Sequence, residues 1–125
     1  MEKGFFNYAG AMVNCQNQFG SGYSGKLFEP KDSSTNDQVI EFAKGMILPN
    51  NHFTSKMHIG INDMATEGTW QYATSGNLVY TNWGNGQPDD NGGEDCVETW
   101  TGTTWNDGKC YEEQPSICEM ISIGK

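Results

Sequence analysis

Oxygen-bearing side chains crowd one stretch of this chain. Asp89, Asp90, Glu94 and Asp95 fall within seven residues, Gln87 precedes them across Pro88, and Asn106-Asp107 follows. Like charges this close repel in water, and ordering the loop that carries them costs entropy. A hard cation reverses the sign of that repulsion, and calcium takes roughly six to eight oxygens from carboxylates, amide carbonyls and water. The stretch supplies oxygen donors and no soft ligand. On charge alone, a solvated acidic loop without an ion explains the pattern equally well. An EF-hand does not. Counted from Asp89, the position that must be Gly is Glu94, and the position that must be Glu is Trp100.

Residues 82–95 hold almost no aliphatic side chain, so the elements around them must do the positioning. Asn7 is placed to cap a helix whose apolar positions are Tyr8, Ala11, Met12, Cys15 and Phe19, with Gly20 at its end and 21–25 as a loop. Ser34 with Asp37 reads as the capping box of a second helix, with Val39, Phe42, Ala43 and Met46 on one face and Pro49-Asn50-Asn51 as its stop. The later chain reads as short strands: 57–61, 69–72, 78–80 after a turn at Ser75-Gly76-Asn77, a hairpin of 96–100 with 103–105 around Thr101-Gly102, and 116–120. Asn106-Asp107 then falls between the last two strands. Helices early and strands late predict an α+β class with an antiparallel sheet.

The chain has 125 residues, enough for one core, and is read as one domain over 1–125. Acidic residues outnumber lysines 16 to 7, and there is no arginine, which argues against a nucleic-acid partner. No apolar run is long enough to insert across a bilayer. Cysteines stand at 15, 96, 110 and 118. None has the spacing of a zinc knuckle or redox motif, and an even number suits two disulfides in an oxidising compartment. Their connectivity stays open among three possibilities. The start, Met1-Glu2-Lys3-Gly4, carries no apolar signal segment, so the expectation is a mature secreted, extracellular domain. There is no Asn-x-Ser/Thr sequon. Neither a Gly-x-Ser-x-Gly elbow nor a His-Glu-x-x-His motif occurs, and an enzyme is not expected.

Six segments taken together resemble the C-type lectin domain. They are His58-Ile59-Gly60-Ile61, Asn82-Trp83, Gln87-Pro88-Asp89, Glu94-Asp95-Cys96, Trp105-Asn106-Asp107 and Cys110 to Cys118. The resemblance runs from the helix of Cys15 to the strand of Cys118. It implies a C-type lectin-like fold: two helices, antiparallel strands, a long calcium-binding loop region and two disulfides, Cys15–Cys118 and Cys96–Cys110. Each disulfide would contribute about 3–5 kcal/mol in the chain-entropy model. It implies a primary calcium held by Gln87, Asp89, Glu94, Asn106 and Asp107, with a cis peptide at Gln87-Pro88 aiming both flanking side chains at one ion. The same five residues would bind the sugar: two hydroxyls enter the calcium shell, Gln87 and Asn106 donate, and Asp89 and Glu94 accept. An auxiliary calcium is implied at Asp63, Glu67, Asp90 and Asp95 with a further contact from Glu94, giving two ions.

In this family Gln-Pro-Asp goes with galactose or GalNAc, and Glu-Pro-Asn with mannose, so glycans with terminal galactose or GalNAc are the expected partners. One departure stands out. Galactose-binding members often carry a stacking Trp just after the motif, where this chain has Asn91. Trp83, Trp100 and Tyr111 are the candidates to replace it, though the two tryptophans suit a core. His58 stands where the family usually has Trp and is expected as a partly buried core residue. A lectin-like ice-binding protein and a calcium-stabilised protein-binding domain are the rival readings. A single shallow sugar site is weak, so a non-covalent homo-oligomer is expected to supply avidity.

Overall fold

A computed structural model describes residues 5–17, 23–47, 56–89 and 93–122, with side chains at all of these except 46, 47, 121 and 122. Its elements are α1 (Tyr8–Gln16), β1 (Tyr23–Leu27), α2 (Ser33–Ile47), β2 (His58–Asn62), β3 (Gln71–Tyr72), β4 (Gly76–Asn77), β5 (Cys96–Thr99), β6 (Trp105–Gly108) and β7 (Cys118–Ser122). Two antiparallel sheets result. One pairs β1 with β7, and the other runs β4-β3-β2-β5-β6. Two helices, antiparallel sheets and two disulfides are the architecture the resemblance implied. The disulfides are Cys15–Cys118 and Cys96–Cys110.

Asn7 caps α1 through its side chain, which accepts from the Gly10 N–H at 2.8 Å. Tyr8, Ala11 and Cys15 then face inward at the helical spacing of three and four. The helix ends at Gln16, where the Asn17 N–H turns back to the Val13 and Asn14 carbonyls, so it stops short of the expected Phe19-Gly20. Residues 18–22 lie outside the described residues, as does the expected stop at Pro49-Asn50-Asn51.

Four local expectations are corrected. Residues 23–25 belong to β1 rather than to a loop, because Gly25 and Leu27 are buried and the strand pairs with β7 from Tyr23↔Ser122 to Leu27↔Cys118. The second helix is capped by Asp32, whose Oδ1 accepts from the Thr35 N–H at 2.7 Å, and not by Ser34 with Asp37. Asp37 instead accepts from the Thr103 hydroxyl at 2.8 Å, tying α2 to the β5–β6 loop. Residues 78–80 form no strand. Leu78 and Tyr80 pack on the core while Val79 is exposed. Finally, β6 continues through Asn106, Asp107 and Gly108, all buried, so the Asn-Asp pair lies within a strand rather than between strands.

The main core is built on β2 and β5, where Ile59, Ile61 and Val97 meet Phe28, Ile40, Met57, Tyr72, Trp105 and Ile117. A second cluster joins Tyr8, Ala11, Cys15, Leu27 and Cys96. The chain at 27–29 presses directly on β2. A Cβ at Gly60 would lie 2.9 Å from the Leu27 carbonyl oxygen, which makes glycine the residue that fits, and the Gly60 N–H donates to Phe28 O at 2.7 Å. Glu29 fastens this crossing to the β3–β4 turn. Burial pushes its carboxyl up, but donors from Ser75, Thr74 and Lys26 outweigh that and hold it below the usual range. Fully buried Trp105 anchors β6 to α2 by donating to Asn36 Oδ1 at 2.8 Å.

Candidate functional site

Backbone pairing brings the proline loop to β6. The Trp105 N–H donates to Asn82 O at 2.9 Å, and the Gly84 N–H donates to Trp105 O at 2.8 Å. Trp83 is half-buried against Trp70 and Trp105, with ring centroids 5.0 and 5.5 Å away. The segment thus enters the site pinned to the core. The Gln87 N–H then closes a turn on Gly84 O at 3.0 Å, and the Gln87-Pro88 peptide is cis.

Beyond this turn three carboxylates gather. Asp89, Glu94 and Asp107 each offer an oxygen, and these atoms lie within 4.8 Å of one another. Asp107 is wholly buried, and its Oδ1 accepts from the Asp89 N–H at 3.1 Å. Gln87 Oε1 is buried with no hydrogen-bond donor. Asn106, 7% exposed, gives an amide hydrogen to Glu98 Oε2 at 2.7 Å. The Lys109 ammonium stands 3.8 Å from Glu94.

A second group holds Asp63, Glu67 and Asp95, again with oxygens within 4.8 Å. The Asp63 N–H donates to Asp95 O at 3.0 Å, joining the end of β2 to the start of β5. Asp63 Oδ2 accepts from the Gly68 N–H at 2.8 Å. Asp63 Oδ1 and Asp95 Oδ1 are buried without a donor. Burial pushes the Asp63 carboxyl above the usual range despite the Gly68 N–H, and Asp95 adds to the rise. Glu94 groups with the first cluster and not with this one. Asp90 and Asn91 lie outside the described residues.

These features test whether calcium fits. A buried carboxylate or amide oxygen without a donor carries a desolvation cost. Among the described residues three such oxygens occur, on Asp63 and Asp95 of the second group and on Gln87, two residues before Asp89 of the first, and both groups offer only hard donors. That donor set fits calcium.

Two charged neighbours of the first cluster escaped the reading of the sequence. Lys109 is among only seven cations and stands two residues from Asp107, which was a usable signal. Glu98 is the one charged residue of a strand buried at every position, a signal that needed the strand's burial to be known. Of the stacking candidates, Trp83 and Trp100 are half-buried, while Tyr111 is 71% exposed. His58 is fully buried, and its Nε2 meets the Phe6 and Glu112 carbonyls at 2.9 and 3.1 Å. Burial lowers its pKa, the two carbonyls opposing.

Comparison with known proteins agrees with this architecture. The family model described as Lectin C-type domain matches residues 6–120. Collectin-10 of Gallus gallus is 36% identical over 121 residues, covering 95% of this chain and 40% of that protein. The chain spans between 29% and 40% of the length of the curated relatives it matches. Among solved structures, the C-type lectin CEL-I from Cucumaria echinata superposes with a TM-score of 0.81 at 20% identity, covering 97% of this chain and 87% of that one. Herring type II antifreeze protein superposes with a TM-score of 0.70 at 22% identity, covering 94% and 84%. At these identities the likeness is one of fold. Among the described residues, no helix is long and apolar enough to cross a membrane.

Proposed function

The chain belongs to the C-type lectin domain family, and from that membership we propose that it is a calcium-dependent carbohydrate-binding domain, one unit over 1–125, that reads terminal galactose or GalNAc. The supporting observations are Gln87 Oε1, buried and without a donor two residues before Asp89, and the gathering of Asp89 with Glu94 and Asp107. In this reading Gln87, Asp89, Glu94, Asn106 and Asp107 hold the primary calcium. Asp63, Glu67, Asp95 and Asp90, with a contact from Glu94, hold an auxiliary one. Calcium, when bound, supplies open coordination positions for two neighbouring sugar hydroxyls. The protein's own part is directional. The Gln87 and Asn106 amides donate to those hydroxyls, and Asp89 and Glu94 accept from them. A Gln-x-Asp arrangement places the donor before the proline and the acceptor after it, which favours the diol geometry of galactose over that of mannose. The role is binding rather than catalysis.

All four cysteines are paired within the chain, so multivalent binding would come from non-covalent association of copies. We place the domain outside the cell, where disulfides persist and calcium is abundant. Extracellular calcium modules bind at about 10⁻⁴–10⁻³ M. Retention on immobilised galactose should therefore need millimolar calcium and end on adding chelator, with galactose and GalNAc competing better than mannose. Full retention in excess chelator refutes the calcium requirement. Equal competition by mannose refutes the galactose assignment alone. Ice-growth inhibition that free sugar leaves unchanged would transfer the reading to an ice-binding protein.

A further inference from the structure

One carboxylate lies behind the primary cluster without belonging to it. We propose that Glu98 is a positioning residue of the sugar site: it locks the Asn106 amide so that the oxygen, and not the NH₂, is the group left for the cation. The proposal rests on the calcium reading above and names a residue that reading does not use.

Glu98 and Asn106 are direct cross-strand partners on β5 and β6. Glu98 is 2% exposed, in a strand buried at every position. A buried carboxylate persists only where donors satisfy it. Here the Asn106 amide donates to Oε2 at 2.7 Å and the Gln114 amide to Oε1 at 3.1 Å, with the Lys56 ammonium 3.7 Å from Oε2. The neighbouring strand makes room for it. A Cβ at Gly108 would lie 2.6 Å from Glu98 Oε1 and 2.7 Å from its Cδ, closer than side-chain carbons approach.

The lock follows from hydrogen-bond chemistry. An ionised carboxylate only accepts, so the Asn106 side chain must turn its NH₂ toward Glu98. The planar amide then carries Oδ1 on its other branch. The second hydrogen of the NH₂ stays available to a ligand oxygen. Without Glu98, both rotations of the amide are open, and one of them points hydrogens at a cation. The far end of the carboxylate is itself fixed. Two carbonyls meet His58 Nε2, so that nitrogen carries the proton and Nδ1 accepts from Gln114 Nε2 at 3.3 Å. Gln114 therefore spends one hydrogen on His58 and one on Glu98. The chain His58, Gln114, Glu98, Asn106 runs from the core to the site with each donor direction determined by the one before.

The test is Glu98→Gln, nearly equal in shape, compared with unaltered protein by calorimetric calcium titration. Groups that orient metal ligands are commonly worth about 10–100-fold in affinity. The variant should weaken the primary calcium by about that factor and leave the auxiliary calcium unchanged. A merely structural role would disturb both sites, or neither. Equal affinity at both sites overturns the proposal, and so does equal weakening of both. An unaltered protein that binds no calcium overturns the calcium reading and this inference with it. If the variant does not fold, the unaltered protein still answers by NMR in chelator. The Asn106 side-chain amide should show one slowly exchanging hydrogen, and two fast-exchanging hydrogens overturn the lock.

Discussion

The two carboxylate groups are alike in number and unlike in support. Asp89, Glu94 and Asp107 have an ammonium, Lys109, 3.8 Å from one member, and a backbone N–H on Asp107. Of the three, Asp107 sits on β6, whose neighbouring Asn106 is backed by Glu98, Gln114 and His58. In Asp63, Glu67 and Asp95, two carboxylates carry a buried oxygen without a donor, and burial with Asp95 raises the Asp63 carboxyl. The first group is held in shape by these protein contacts, so that in the proposed reading its cation would be left to serve a ligand. The second, with two donorless buried oxygens, would in that reading gain more of its order from a cation. In the calcium reading proposed above, the difference would give the first group recognition and the second bracing.

One expected effect touches only the first group. Gln87→Glu with Asp89→Asn keeps the number of oxygens and the formal charge, so calcium should still bind. The galactose-to-mannose inhibition ratio should move by about tenfold or more toward mannose, about 1.4 kcal/mol. Competition against one immobilised ligand measures it, and an unmoved ratio removes recognition from these two residues. Larger in free energy is Asp63→Asn with Glu67→Gln. Calorimetry should show one calcium fewer, and the loss of calcium-dependent stability should be about 2.7 kcal/mol at a hundredfold excess over the dissociation constant. Sugar retention should persist, and its complete loss would show that the second group does more than brace.

The smallest effect tests the chain behind the first group. Unfolded His58 titrates near 6.5, and burial places the folded value below that, with the Phe6, Glu112 and Gln114 contacts around it. Between the two values the unfolded chain binds more protons. The stability tied to neutral His58 is therefore complete above about pH 6.5 and is lost as pH falls toward the folded value. Denaturant titrations in chelator from pH 8 to pH 5 should show this decline, and His58→Gln should flatten it.

Local patterns carried the parts of the fold whose reasons are local. The Asn7 cap and the spacing of Tyr8, Ala11 and Cys15 specify α1 without help from the rest of the chain. β1 was illegible because Tyr23-Ser24-Gly25-Lys26-Leu27 has weak strand propensity, and its partner lies at the other end of the sequence. Asp32 outcompeted Ser34 as a cap because Asp37, the other half of the expected box, is used by Thr103. The oxygen donors of the site could be read from residue type and from the family resemblance. Their support could not, since a buried strand reading Trp-Asn-Asp-Gly looks like a turn until its partner strand is known.

The Cys15–Cys118 link encloses most of the chain. A single protease cut anywhere between those two residues leaves one covalent molecule, and its two pieces separate only after reduction. A cut between Asp89 and Glu94 would thus go unseen on a non-reducing gel. It would still turn the gathering of Gln87 and Asp89 with Asp107 from a short-loop closure into a meeting of loose ends. Such a nicked protein would gain one water and keep its packed core while its carboxylate cluster loosens, so its single band on a non-reducing gel would be a misleading measure of uncut material.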